Sequence, residues 1–384
     1  MNNSGKVYIT GSSTFLPNAP VGNDEIENIL GMVGGKPSRA RRIVLRNNGI
    51  RQRYYAIDPA TGQATHTNAA LTAEAVRRLG DIGPIDCLAT GTSRPDQLMP
   101  NHGVMVHGEL GISACEVVST AGICVSGLTA LKYAYLAVLA GDAQNAVATG
   151  SELASAGLHA RNFEAELEHR ITELETNPEI AFEKDFLRWM LSDGAAAFNL
   201  RNQPASSGLS LRIEWIDILS QAGQMDVCMY AGGEKLADGS LKGWQAFPSV
   251  EWAGRSIFSV KQDVRLLNDN VAYQTIGKML EKVTLSRGLT PAAVDWFLPH
   301  MSSEYFRQPM ADCMQALDFA VPQEKWFTNL QSKGNTGSAS IFIMIDELLR
   351  SGCLKNGDRL LCFIPESGRF TGSLMYLTAV DHAG

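Results

Sequence analysis

Strand-like runs alternate with helical patterns from one end of the chain to the other, and that alternation limits the fold more than any other feature. Residues 6–10, 87–90, 116–118, 146–149 and 193–200 read as strands, and 70–79 and 125–140 as helices. The pattern continues with a long helix from about 260 to 286, a strand at 295–298, a helix at 338–349 and strands at 359–364 and 373–380. Such alternation predicts an α/β fold with largely buried sheets. At 384 residues the chain suffices for two ordinary domains or one large fused core. Two halves of similar make-up, 1–205 and 206–384, would each send loops to a shared site. One Glu-rich segment, 161–190, breaks the rhythm with Phe163, Leu167, Ile171 and Leu174 at helical spacing. It reads either as a solvated surface helix or as a lid inserted over that site.

Composition removes several classes of function. The formal net charge of −7 argues against nucleic acid as a partner. No run approaches ~18 uninterrupted apolar residues, so no membrane span is expected. The N-terminus enters its first strand directly and lacks a signal-peptide pattern. Seven cysteines, scattered without CxxC spacing, fit neither a zinc site nor a disulfide framework. Reduced thiols in the cytoplasm, and no bound metal, are the expectation. Walker-type, G-x-S-x-G and H-E-x-x-H motifs are all absent from the sequence.

The chemistry points to Cys124. It lies in Ser119-Thr120-Ala121-Gly122-Ile123-Cys124-Val125-Ser126-Gly127, after a strand and before a helix with Leu128, Leu131, Tyr135, Val138 and Leu139 on one face. A thiol at a helix N-terminus meets unpaired N–H groups and the positive end of the dipole, which favour the thiolate nucleophile. Two later segments supply partners: Leu298-Pro299-His300 and Gly334-Asn335-Thr336-Gly337-Ser338-Ala339-Ser340. Cys, His and Asn in separate turn-like settings suggest covalent catalysis on an acyl group.

These segments resemble the β-ketoacyl-acyl carrier protein synthase III family of the thiolase-like superfamily. Asn48-Gly49-Ile50-Arg51-Gln52-Arg53 is similar to its Gly-Ile-x-x-Arg segment, and Ala130-Leu131 falls at its spacing from the nucleophile. Ser192-Asp193-Gly194-Ala195 resembles its Gly-Asp-Gly-Ala strand entry, and Leu298-Pro299-His300 its Val-Pro-His. The turn at 334–340 resembles its Gly-Asn-Thr-x-x-Ala-Ser, and the matches run in family order from about residue 49 onward.

The resemblance implies a five-layered αβαβα fold of two similar halves, usually homodimeric. It also implies Claisen-type carbon–carbon bond formation. Cys124 would take an acyl group from a thioester carried on the phosphopantetheine of an acyl carrier protein or coenzyme A, with no further cofactor. His300 and Asn335 would stabilise the enolate of a malonyl or β-ketoacyl thioester. The Cys124 and Gly368 backbone N–H groups would hold the oxyanion. Met99 would enter the partner's acyl tunnel, and the segment 161–190 would close over that tunnel if it is a lid.

Other residues stay open. Glu152 reads either as a hydrogen-bonded carboxylate at a strand end or as a general base. Six arginines between Arg39 and Arg53, among them Arg46 and Arg51, form a positive patch suited to a phosphate or an acidic carrier protein, or else pair structurally. Lys261 and Arg307 are further docking candidates.

The departures are as specific as the matches. Ser126 stands where the family has Gly, Met301-Ser302-Ser303 follows His300, and Glu366-Ser367-Gly368-Arg369-Phe370-Thr371-Gly372 replaces a glycine run. They point to a specialised relative in secondary metabolism, and the segment after His300 resembles the branch that makes dialkylresorcinol or cyclohexanedione scaffolds. An acyltransferase passing the acyl group to an oxygen or nitrogen acceptor is the competing expectation.

Overall fold

The computed structural model describes residues 5–164 and 187–381. The expected segment 161–190 therefore lies mostly outside the described residues. Nine strands form one mixed sheet: β1 Val7–Phe15, β2 Cys87–Thr92, β3 Glu116–Ala121, β4 Asn145–Glu152, β5 Gly194–Arg201, β6 Leu209–Ser220, β7 Trp296–Pro299, β8 Arg359–Glu366 and β9 Thr371–Asp381. Their order is β7-β8-β9-β6-β1-β5-β4-β2-β3. Among the described residues, the first-half and second-half strands of the sheet meet where β1 pairs with β6, with Tyr8 opposite Arg212.

Each side of that seam repeats one plan. Helices α1 Asn68–Arg77, α2 His102–Leu110 and α3 Val125–Ala140 connect the early strands; α4 Val264–Val271, α5 Lys278–Arg287, α6 Arg307–Ala316 and α7 Ser340–Arg350 follow later. The pairs β4–β2 and β2–β3 are parallel while β1–β5 and β5–β4 are antiparallel. In the second half β7–β8 is parallel while β8–β9 and β9–β6 are antiparallel. The counterpart of β3 has shrunk to a single parallel bridge, Phe297 to Trp326.

Side-chain alternation along these strands builds the layers. Cys87 and Ala89 of β2, Ala196 and Phe198 of β5, and Leu360 and Cys362 of β8 all point to a central core shared with α3 and α7. The intervening Leu88, Ala195 and Ala197 face α1 and α2. On the other half Leu361 and Phe363 face α5 and α6. Five layers result, with α3 and α7 as the middle one. No helix of the described residues is long and apolar enough to cross a membrane.

Two expectations change. The long helix at 260–286 is α4, a wide π-helical turn at Ala272–Gly277, and α5. The Thr275 hydroxyl donates to Val271 O inside that turn. The Thr275 carbonyl passes so close to Gly372 that a Cβ there would stand 2.7 Å from it. The face expected for α3 is broader than predicted near its start and narrower at its end, since Ala130 and Ala134 are buried while Leu139 is 38% exposed. The strand β6 and the helices α2 and α6 were not expected from the pattern.

The middle layer is closed by backbone contact. A Cβ on Gly127 of α3 would stand 2.3 Å from the Ser338 carbonyl oxygen, and one on Gly150 of β4 would stand 2.4 Å from the same atom. Only glycine permits that approach. Gly127→Ala is expected to destabilise the protein by about 3 kcal/mol or more, seen as a lower urea midpoint. Gly108→Ala, with open space at its Cβ on α2, serves as a control and should be neutral or slightly stabilising.

Candidate active site

Every candidate side chain follows the carboxyl end of a parallel strand. Ser93 follows β2, Cys124 follows β3, Glu152 ends β4, His300 follows β7 and Glu366 ends β8. Asn335 comes after the bridge at Trp326 that replaces the missing strand. Open α/β sheets gather loops at this edge, where the chain leaves each strand for the next helix. A cavity of about 800 Å³ opens there, and Cys124, Glu152, His300 and Asn335 all line it.

Cys124 is the N-cap residue of α3, in right-handed helical backbone conformation. Ser126, where the family resemblance called for glycine, fits because its hydroxyl donates to Ile123 O at 2.7 Å. The expectation of a helix-stabilised thiolate is corrected. The Glu366 carboxylate already occupies the helix N-terminus, accepting the N–H of Ile123 at 3.0 Å and of Val125 at 3.3 Å. Burial pushes the Cys124 thiol well above its ordinary pKa, and the Glu152 and Glu366 carboxylates push it further. Its own backbone N–H works in the opposite direction. Cys124 therefore rests as a thiol.

His300 is buried just past β7, anchored by its backbone N–H to Phe363 O at 2.8 Å. Burial alone pushes its pKa down to about 4. The imidazole is thus neutral near pH 7 and able to donate an N–H. Asn335 is held on both sides of its backbone: its N–H donates to Met190 O at 2.9 Å, and its carbonyl accepts Ser192 N–H at 2.8 Å. Its side-chain Oδ1 accepts Gly337 N–H at 2.9 Å, which leaves the amide NH₂ as the donor end. Two neutral donors suit an oxygen that gains negative charge during a reaction.

Glu152 accepts Ser93 N–H at 3.3 Å, the Ser93 hydroxyl at 2.5 Å and Ser338 N–H at 3.1 Å. Burial raises its pKa and these three bonds oppose the rise. The carboxylate thus ties the loop after β2 to the turn that carries Asn335.

Residues 285–376 match the family described as 3-Oxoacyl-[acyl-carrier-protein (ACP)] synthase III C terminal. A β-ketoacyl-[acyl-carrier-protein] synthase III of Methylococcus capsulatus is 22% identical over 355 residues, covering 92% of this chain and 93% of that protein. The chain resembles the ketoacyl-acyl carrier protein synthase III family. Its fold is thiolase-like: the solved structure of AbyA1, a tetronic acid condensing enzyme, superposes with a TM-score of 0.71 at 19% identity, covering 97% of this chain and 99% of that one. Xanthomonas campestris OleA, solved with bound lauric acid and lauroyl-CoA, superposes at 0.70 and 19% identity, covering 98% and 99%. These similarities support an acyltransferase-type enzyme.

Against the pattern of the synthase III family, the site holds several corrections. Gly368 does not line the cavity; its carbonyl is turned to the N–H groups of Cys228 and Met229, and its neighbour Ser367 lines the wall instead. Arg369 is exposed, its Nε donating to Met225 O, and stands away from Cys124. Glu366, four residues from the end of the turn, is the residue sequence reasoning passed over; a carboxylate replacing glycine beside a nucleophile was the available signal. Lys261 is buried and donates to Gly233 O and Arg255 O, so it is no docking group. Arg307 is held by Glu304 in two hydrogen bonds. Arg53 is fully buried on Asn23 and Trp189 O, and Arg41 pairs with Asp24. Arg39, Arg42, Arg46 and Arg51 remain exposed. Met99 is 85% exposed beside Leu98, which lines the cavity.

Two tests follow from the electrostatics. Glu366→Gln keeps an acceptor for the two amides and removes the charge, so the Cys124 thiol pKa should fall. Alkylation by iodoacetamide at fixed pH should rise roughly three- to tenfold, the equivalent of about half to one pKa unit. Because His300 is neutral down to about pH 4, the acid limb of the condensation rate should lie near that value and not near the ordinary histidine pKa.

Proposed function

We propose that the protein is a ketosynthase that holds an acyl group on Cys124 and condenses it with a malonyl or β-ketoacyl thioester. The observation that supports this most is the meeting of Cys124, His300 and Asn335 in one cavity. In the first step the Cys124 sulfur attacks the incoming thioester carbonyl. The carrier thiolate leaves and takes up the proton that Cys124 gives up. In the second step the other thioester loses CO₂, or a proton, and its enolate oxygen is met by His300 and the Asn335 amide. The enolate carbon attacks the Cys124 thioester, and Cys124 departs as thiolate and regains a proton. The oxyanion of each tetrahedral intermediate would sit on the Cys124 N–H, with the N–H of Ser367 as the cavity-side candidate for the second donor that Gly368 was expected to supply.

Acyl groups would arrive on phosphopantetheine, from an acyl carrier protein or coenzyme A, and the protein itself would need no metal or further cofactor. The exposed Arg39, Arg42, Arg46 and Arg51 suit an acidic carrier protein. A homodimer fits the sheet, because β3 is its outermost strand and α3 leaves Leu136 and Leu139 exposed nearby. In such a dimer the exposed Met99 is the residue offered to the partner's tunnel. A role in secondary metabolism, with a polyketide or alkylresorcinol-type product, fits Ser126, Met301 and Glu366 better than housekeeping fatty-acid biosynthesis does. Glu152 serves as a positioning residue in this reading, since its oxygens already bind three donors. Acyl transfer to an oxygen or nitrogen acceptor is the second reading, and the presence of both His300 and Asn335 at the cavity favours condensation over it.

Incubation with acyl-carrier protein or acyl-coenzyme A is expected to add the acyl mass to the peptide containing Cys124. An adduct that survives Cys124→Ala would overturn the assignment. His300→Ala should still acquire the acyl group while condensation falls at least about a hundredfold; a parallel loss of acylation would reassign His300 to thiol activation.

A further inference from the structure

Arg94 and Asp96 are charged side chains of the cavity wall that the reaction above leaves without a task, and Asp96 is already held by the N–H groups of Asn68 and Ala69. Arg94 follows β2 and lines the same cavity as Cys124. Its guanidinium packs against Gly157 of the short helix Ser155–Leu158. A Cβ on Gly157 would stand 1.9 Å from Nη1, 2.8 Å from Cζ and 3.2 Å from Nη2. The glycine makes a cradle that any other residue would fill.

The guanidinium forms no ion pair or side-chain hydrogen bond among the described residues. Two carboxylates favour its charge, Glu152 and Asp193, while burial opposes it. Both are committed elsewhere. Glu152 binds Ser93 and Ser338, and Asp193 accepts the N–H of Ala56 at 2.7 Å, the N–H of Ser155 at 2.9 Å and the Ser155 hydroxyl. They keep Arg94 charged without taking up its N–H groups. A planar fork of donors, drawn out of solvent on a residue that lines the cavity, is suited to grip a carboxylate with two hydrogen bonds.

Resting on the ketosynthase reading, we propose that Arg94 selects acyl groups carrying a second, free carboxylate at their far end, so that the acyl class held on Cys124 is dicarboxylic. The phosphate of the pantetheine arm is not the anion, because the arm must lead out to solvent whereas Arg94 is drawn into the wall. Nor is it the carboxylate of a malonyl group. Gripping that carboxylate would stabilise the charge that decarboxylation has to remove. A terminal carboxylate survives the whole reaction, and it leaves with the product.

The test loads the full-length enzyme with adipoyl or hexanoyl thioesters, equal in carbon number and differing in one carboxylate, each presented on coenzyme A and on carrier protein. The readout is the rate at which the Cys124 peptide gains mass. The wild type is expected to load adipoyl at least about tenfold faster, the discrimination of a charge-assisted bidentate pair. Arg94→Met should abolish or invert that preference. Gly157→Ala, which displaces the guanidinium without removing it, should do the same. Melting temperature and iodoacetamide labelling of Cys124 report whether each variant is folded. Equal loading of both thioesters by the wild type overturns the inference and leaves the ketosynthase reading standing. So does a preference unchanged in folded Arg94→Met, which would leave Arg94 to another partner such as a second copy of the chain. Failure of both thioesters to label Cys124 in the wild type overturns both readings.

Discussion

The site depends on two carboxylates exchanged between the halves. β4 ends in Glu152, which holds the Ser338 N–H at the entry to α7. β8, the corresponding strand of the other half, ends in Glu366, which holds the Ile123 and Val125 N–H groups at the entry to α3. Each half therefore caps the central helix of the other. Orphan amides at a helix start need acceptors, and here the acceptors come from across the interface between the halves. Between the two caps, the Ser338 carbonyl is wedged against Gly127 and Gly150. Neither half can shift without breaking a buried, charge-assisted hydrogen bond or forcing backbone into backbone.

The capping carboxylates also set the chemistry. A helix N-terminus without them would draw the Cys124 thiol toward the thiolate. With the thiol buried, Glu152 nearby and Glu366 seated at the helix start, Cys124 is held protonated. Two further cavity groups are uncharged for their own reasons: His300 is neutral through burial, and Asn335 offers an amide. A neutral nucleophile and neutral donors disturb little while the site waits. In the proposed condensation, charge would develop on the enolate and on the tetrahedral oxygen, where fixed N–H groups would meet it without reorganisation.

Much of this was legible in the sequence, for physical reasons. Eight of the nine sheet strands announce themselves because parallel and central strands are apolar on both faces, as in the run Ala195-Ala196-Ala197-Phe198. The ninth, β6, alternates as Leu209, Leu211, Ile213 and Trp215 with polar neighbours, a pattern easily lost inside a longer polar stretch. Cys124, His300 and Asn335 were visible because each sits in a turn whose neighbours are fixed by close packing. Glu366 was not, because a carboxylate in a turn carries no local sign of which amides it will reach 241 to 243 residues away. Lys261 misled for the converse reason: its charge suggested the surface, while backbone carbonyls of Gly233 and Arg255 take it inside.

On the ketosynthase reading, the duplication accounts for one half holding the acyl group and the other activating its partner. Equivalent positions after the strands carry unlike residues: Cys124 precedes α3 where Asn335 precedes α7, and Arg94 comes shortly after β2 where His300 follows β7. The first half thus contributes a nucleophile and a cation, both suited to holding a substrate that stays. The second half contributes two neutral donors, suited to a substrate whose charge appears only during reaction. Divergence at four equivalent loops is enough to turn a repeated scaffold into a site with two distinct ends, because the caps and the glycine wedge fix how those loops face one another.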